Sequence, residues 1–277
     1  MNRHAVVVSA ENSPYMAWQC KLFHFSCTSR LKKTPIIIVH ETGAKELHPD
    51  FREIMKVGGR VSRAPSYKRT AQGDLYPPRN TPGTLSHAAE MLSALEEFIV
   101  LCDPDMIFVR PVEFPEELSG DFCSYMNYDL DCVETARLAL CIPRERIVAR
   151  QESLRCGVPY VIPTHVARPL AESWVEAVDA FPPRKWEDVM YAFGLAALSL
   201  DLKVAVTRTA ESNYWPDAKV RARIVHYCYG DATWSKRHYF KEAEAPKIWR
   251  PRVEARPGTV LGEILSQIRE AENYYSG

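Results

Sequence analysis

Two carboxylates two residues apart, Asp103 and Asp105, stand between apolar runs, with Phe98-Ile99-Val100-Leu101-Cys102 before them and Met106-Ile107-Phe108-Val109 after. In extended backbone, residues i and i+2 face the same side, so the two acids can converge on one point. Pro104 between them cannot donate to a sheet ladder, which puts the pair where strand pairing stops. Two anions held that close repel unless a cation lies between them, and carboxylate oxygens suit a hard divalent ion such as Mg²⁺ or Mn²⁺. A bare D-x-D recurs by chance and is most often a solvated turn. Here the apolar flanks place the acids at the mouth of a core. Glycoside hydrolysis is a poorer fit, because its carboxyl pair sits about 5 Å or more apart across a sugar.

A second constellation comes late in the chain: His226-Tyr227-Cys228-Tyr229-Gly230, followed by Trp234-Ser235-Lys236-Arg237. His226 lies in an apolar run and can complete a metal shell with the two aspartates. Gly230 lets backbone approach a phosphate, and Lys236 and Arg237 meet its charge. A lone histidine in a strand is more often a satisfied core residue. Paired with the D-x-D, the metal reading gains weight.

Strands alternating with helices must position these groups. Val6 to Ala10 reads as a first strand, and Glu11-Asn12-Ser13-Pro14 opens a helix to about Ser29, with cap residues and proline in its first turn. Ile36-Ile37-Ile38-Val39 is a β-branched run of the kind buried on both faces of a parallel sheet. A helix over 47–56, a strand over 60–64, a rigid loop over 75–83 and a helix over 84–97 lead to the strand that carries the acids. Further strands are expected over 121–126, 156–162, 203–208 and 224–228. Helices are expected over 165–181 and 186–200, the second with Trp186, Met190, Phe193 and Ala197 on one side. The charge-mixed stretch 129–155 has no clear period. This alternation predicts an α/β fold, and open sheets of this kind bind ligands beyond the carboxyl ends of their strands, where Asp103 and Asp105 lie. Residues 1–241 are expected to form one domain. Residues 242–277 follow as a surface wrap and an amphipathic helix that docks on that domain or on a second subunit as a homodimer contact.

Composition narrows the partners. The 277 residues suffice for one large α/β domain or two small ones. Lys plus Arg equals Asp plus Glu, 35 each, so no global charge drives the chain towards nucleic acid or membrane. One local exception holds Lys56, Arg60, Arg63, Lys68 and Arg69 with no acid among them. Composition favours a solvated face there over a phosphate-binding one. No run approaches the roughly 18 apolar residues of a membrane span, and the N-terminal apolar run is too short for a signal peptide. The eight cysteines show no C-x-x-C pair and lie mostly in apolar runs, which predicts reduced thiols in a cytoplasmic protein.

An ordered set of motifs resembles the glycosyltransferases that include plant hydroxyproline O-arabinosyltransferases and peptidyl-serine α-galactosyltransferases. The set runs Asn12-Ser13-Pro14-Tyr15 with Trp18-Gln19, Tyr76-Pro77 with Asn80 and Pro82, Asp103-Pro104-Asp105-Met106-Ile107-Phe108 with Pro111, Trp186 with Met190-Tyr191, and His226-Tyr227 with Tyr229-Gly230. The resemblance implies a GT-A fold, a single Rossmann-like domain with a mostly parallel central sheet flanked by helices. It also implies a UDP-sugar donor, Mn²⁺ or Mg²⁺ on Asp103 and Asp105 with His226 as third protein ligand, and transfer with retention to a hydroxyl acceptor, expected on a peptide or a glycan. The acid-free basic stretch from Lys56 to Arg69 is what brings a modified DNA base in as a further acceptor. By the resemblance, Ser9, Ala10 and Glu11 lie where a uridine would sit. Arg79, Asn80, Gly157, Gly230, Trp234 and Lys236 are then candidates for the remaining donor contacts. Three positions depart from the pattern. Val189 stands where an acid precedes Met-Tyr, leaving Glu187 and Asp188 as candidate catalytic acids. Thr81 replaces the lysine of an N-K-P element, and a G-N-S-P turn is shortened to Gly157-Val158-Pro159. Two other readings are carried forward: the same chemistry on a hydroxylated DNA base, as in viral DNA-modifying enzymes, and an inactive sugar-nucleotide-binding module.

Overall fold

The computed structural model describes residues 3–43, 46–92, 95–182, 185–211 and 215–277. In chain order the strands and α-helices are β1 His4–Glu11, α1 Pro14–Ser26, β2 Ile36–His40, α2 Pro49–Lys56, β3 Arg60–Ala64, α3 Asn80–Met91, β4 Phe98–Cys102, β5 Met106–Phe108, β6 Ser119–Phe122, α4 Asp131–Ala139, α5 Arg144–Leu154, β7 Cys156–Pro163, α6 Thr164–Asp179, α7 Asp188–Ser199, β8 Ala205–Thr207, β9 Ala210–Glu211, β10 Ile224–His226 and α8 Val260–Ser276. Seven strands form a mostly parallel sheet in the order β3-β2-β1-β4-β7-β6-β8, and a second sheet runs β5-β10-β9. In the large sheet β7 runs against both its neighbours, β4 and β6, while β6 and β8 are parallel. This helix-flanked α/β architecture is the one expected of a GT-A, Rossmann-like chain. Among the described residues no helix is long and apolar enough to cross a membrane.

Chain compactness divides the molecule into two units. The first comprises Met1–Val7, Ala64–Leu101 and Phe114–Thr207. Its centre is an aromatic stack of Tyr160, Trp174 and Phe193, with Tyr160 and Phe193 ring centroids 4.1 Å apart and the Trp174 indole donating to the Val189 carbonyl at 2.7 Å. The second unit comprises Val8–Arg63, Cys102–Glu113 and Arg208–Gly277. There α8 lays Val260, Leu261, Ile264, Leu265 and Ile268 into a core shared with Trp18 and Leu22 of α1, Ile107 of β5 and Val225 of β10. That apolar stripe at helical spacing is what the closing sequence promised.

Several boundaries differ from the sequence expectation. Helix α3 starts at Asn80, inside the expected loop, because Pro82 falls in its first turn, where amide hydrogens have no intrahelical partner. It ends by Leu92, whose backbone is extended, five residues before the expected Glu97. The regular part of α1 stops at Ser26, and a π-helical turn over Cys27–Leu31 closes on Lys32 in left-handed backbone. Strand β6 lies two residues earlier than expected and ends at Phe122, after which Cys123 donates to Arg155 at 2.9 Å. The unassigned stretch 129–155 holds two helices, α4 and α5. Each buries only two residues, so its periodic signal is weak. Trp186 precedes α7 and is 68 % exposed, so it is no part of the buried stripe that Phe193 and Ala197 do form. In the basic stretch 56–69, Arg63 pairs with Glu41 at 2.9 Å and Arg69 donates to the Gly73 carbonyl at 2.7 Å.

Candidate metal centre

Strand β4 is buried along its whole length and delivers Asp103 at its end. Pro104 interrupts the ladder, and the chain re-enters a sheet at once as β5, which pairs antiparallel with β10 in the register Ile224↔Phe108, Val225↔Ile107, His226↔Met106. That register sets the last residue of β10 one position from Asp105. A backbone hydrogen bond from Tyr227 to the Asp105 carbonyl, 3.0 Å, fixes the junction. Aromatic packing holds it from behind: the Tyr227 ring stacks on Trp18 and meets Trp234 edge-on.

One ligand atom each from Asp103, Asp105 and His226 lies within 4.8 Å of the others. Nε2 of His226 is 3.2 Å from an Asp105 oxygen and 3.7 Å from an Asp103 oxygen. It is buried and stands at ion-pair distance from both carboxylates, but is not aligned for a hydrogen bond with either. An imidazole nitrogen facing two carboxylates without a hydrogen bond to either is the arrangement a shared cation would complete; the carboxylate oxygens suit Mn²⁺ and Mg²⁺ alike, and the nitrogen tilts the set towards the softer Mn²⁺. Asp105 is 4 % exposed, whereas the Asp103 side chain keeps 35 % of its surface and forms the open side of the cluster.

The charges respond to this setting. Desolvation, and then the neighbouring Asp105 carboxylate, push the Asp103 carboxyl up to about 6. Desolvation pulls Asp105 the same way, but Lys236 and then His226 outweigh it and hold its carboxyl well below the usual range. For His226, desolvation favours the neutral ring; the carboxylates, Asp105 first, reverse this and raise it.

Lys236 donates to the second Asp105 oxygen. Its backbone is set by a tight loop. Asp231 accepts from the amides of Thr233 at 2.8 Å and Trp234 at 3.2 Å, Gly230 bridges to Ser235, and the Ser235 hydroxyl caps a short 3₁₀ turn over Lys236–Tyr239. At Gly230 a Cβ would collide with the Trp234 carbonyl oxygen and with Ser235 Cα. The close approach that this glycine allows is therefore to the chain's own backbone. Trp234 is 2 % exposed and belongs to the core of the second unit. Tyr15, quoted above only as part of a motif, lies in electrostatic reach of Lys236, Asp105 and Arg237; burial raises its hydroxyl. The signal that marks it is its place in the first turn of α1, just past the Ser13 cap and Pro14.

The remaining candidates sit as follows. Ser9 and Glu11 are partly exposed at the end of β1, with Ala10 buried between them. In the first unit Arg79 forks onto Asp179 through two bonds of 2.9 and 2.7 Å and donates to the Tyr67 carbonyl at 2.7 Å, while the Asn80 side-chain oxygen accepts the Tyr67 amide at 2.8 Å. Gly157 lies within β7, where a Cβ would strike Met190 and Cys123. Asp188 is 2 % exposed at the start of α7 and accepts the Lys185 amide at 2.7 Å, while Glu187 before it is partly exposed.

No protein-family model and no curated protein matches the chain. Among solved structures, the chain is similar to an apo structure of WbbM, a bifunctional glycosyltransferase, at 10 % identity and a TM-score of 0.47. The match covers 99 % of this chain and 51 % of that one, so the chain spans about half the length of that protein.

Proposed function

We propose that this chain is a metal-dependent glycosyltransferase that moves a sugar from a UDP-sugar to a hydroxyl acceptor with retention of configuration. The observation that supports it most is the Asp103, Asp105, His226 cluster with its unpartnered imidazole nitrogen, seated where a buried strand ends. Mn²⁺ or Mg²⁺ held by these three residues would supply positive charge to a leaving diphosphate. Lys236 offers an ammonium to the same phosphates, anchored at its backbone by the Gly230–Ser235 loop with Trp234 as its apolar foot. Ser9, Ala10 and Glu11 are the proposed nucleoside contacts. Arg79 and Asn80, engaged with Asp179 and Tyr67, contribute by bracing the segment they hold, and Gly157 by leaving room for Met190. Of the two candidate acids, Glu187 is the one expected to meet substrate, since Asp188 is buried with one oxygen on the Lys185 amide.

The test is mass spectrometry of donor hydrolysis and transfer across a panel of nucleotide sugars, with Mn²⁺ present. The wild type should turn over at least one UDP-sugar. Asp105→Ala should lower that turnover by at least about 10³-fold, the scale of several kcal/mol of lost charge stabilisation. An active Asp105→Ala overturns the reading. A wild type that binds UDP and turns nothing over would favour the inactive binding module. The basic stretch supports transfer to DNA less than its composition suggests, because Arg63 is paired with Glu41 and Arg69 holds the Gly73 carbonyl.

A further inference from the structure

We propose that Lys236 is a resident counter-cation of Asp105 that a divalent ion must displace, and that the donor's diphosphate is what draws it away, so metal and nucleotide bind as a coupled pair. This rests on the reading of Asp103, Asp105 and His226 as metal ligands given above. Both oxygens of the buried Asp105 carboxylate already have neighbours: one receives the Lys236 ammonium and the other lies 3.2 Å from His226 Nε2. A divalent ion among the three ligands would sit within a few ångströms of that ammonium and be repelled by it. With the imidazole neutral, Asp103, Asp105 and Lys236 sum to a single negative charge, which is poor compensation for a doubly charged ion.

The lysine is built to leave. Its backbone is pinned by the Ser235 cap, the Asp231 bonds and buried Trp234, while its side chain keeps 17 % of its surface exposed on a flexible four-carbon stem. A diphosphate brings several negative oxygens to the same ammonium and offers it a new partner at the moment Asp105 is needed by the metal. Coupling of this kind is reciprocal: the nucleotide tightens the metal by the factor by which the metal tightens the nucleotide.

The experiment is calorimetric titration of Mn²⁺ into the full chain, with and without UDP, for the wild type, Lys236→Met and Lys236→Arg. The wild type should bind Mn²⁺ weakly alone and more tightly with UDP. Lys236→Met should bind Mn²⁺ at least about tenfold more tightly than the wild type without nucleotide, since a nearby positive charge is gone, and should gain less from UDP. Lys236→Arg, which keeps the charge, should resemble the wild type. Equal or weaker nucleotide-free Mn²⁺ affinity in Lys236→Met overturns the exchange while leaving the metal site standing. Should Lys236→Met not fold, Lys236→Gln takes its place in the same titration: nucleotide-free Mn²⁺ affinity at least about tenfold above the wild type supports the exchange, and equal or weaker affinity overturns it. Absence of Mn²⁺ binding in every form, with or without UDP, brings down the metal reading itself.

Discussion

The second unit twice sets a lysine against two carboxylates with a histidine close by, His48 beside Asp50 in one place and His226 beside Asp103 and Asp105 in the other. In one cluster Lys21 of α1 pairs with Glu53 and, at 3.6 Å, with Asp50, both on α2, while its ammonium lies 4.7 Å from the ring centroids of Trp249 and Tyr275. The nearby His24 meets the Tyr275 hydroxyl at 2.6 Å, and that hydroxyl also bonds the Lys21 carbonyl. In the other cluster Asp103, Asp105, His226 and Lys236 face one another. The acids of the first are three residues apart on a helix and share one ammonium. The acids of the second are two apart at a strand end, with the imidazole across both and one nitrogen unpartnered. His24 and His226 titrate in opposite senses: burial pulls His24 down to about 4, whereas carboxylates raise His226. The lesson is that residue types do not make a site. Both clusters set one ammonium against two carboxylates; what differs is the imidazole, which in the second faces both acids with a nitrogen that makes no hydrogen bond, and that leaves room for a cation.

The sharpest way to break this comparison is to neutralise one acid in each cluster. Asp105→Asn should weaken Mn²⁺ binding by at least about 100-fold, more than loss of an outer partner usually costs, while Asp50→Asn should leave it unchanged. Titration calorimetry of both variants reads the difference, and a matching loss in Asp50→Asn would erase it.

Acid should act next through His24. Its folded value lies below its unfolded value of 6.5, so between the two the unfolded chain binds a proton that the buried ring refuses. Stability is then complete above pH 6.5 and falls as pH drops towards about 4, by roughly 3 kcal/mol. Denaturant melts of wild type and His24→Gln across that window should diverge in slope, and parallel curves would remove His24 from the account.

The smallest effect expected is that of Lys21→Met. It should cost about 2 kcal/mol of stability, below the range for breaking a fully buried pair because the Glu53 side chain is 40 % exposed. Turnover should be unaffected. A shift in the midpoint of urea unfolding measures the first, and donor hydrolysis checks the second.

Much of this was legible from local pattern. The β-branched run of β2, the apolar strand before Asp103, the helix expected over 165–181 and the amphipathic closing helix all stand in the structure where local pattern puts them. The helices α4 and α5 were not legible, because two buried residues each give too little contrast between faces. Trp186 misleads for the converse reason: an apolar residue one helical turn ahead of Met190 fits the period even though the helix begins only at Asp188. Arg79 is a subtler case. Its partner Asp179 lies 100 residues away, and nothing in either neighbourhood announces the other.

The sequence by itself determined that two carboxylates stand where a buried strand ends, since the apolar run before them and the missing amide of Pro104 are properties of a few consecutive residues. The backbone there is a turn at Pro104 and Asp105 rather than extended chain, so it is the fold and not the strand period that brings the acids together. Only the tertiary structure decided that His226 and Lys236 join them. That depends on the antiparallel register of β5 with β10, two strands of three residues each and more than a hundred residues apart. It depends as well on Trp234 being packed into the core beneath the loop that carries the lysine. Short strands take their pairing from the core they close, and a core is a property of the whole unit.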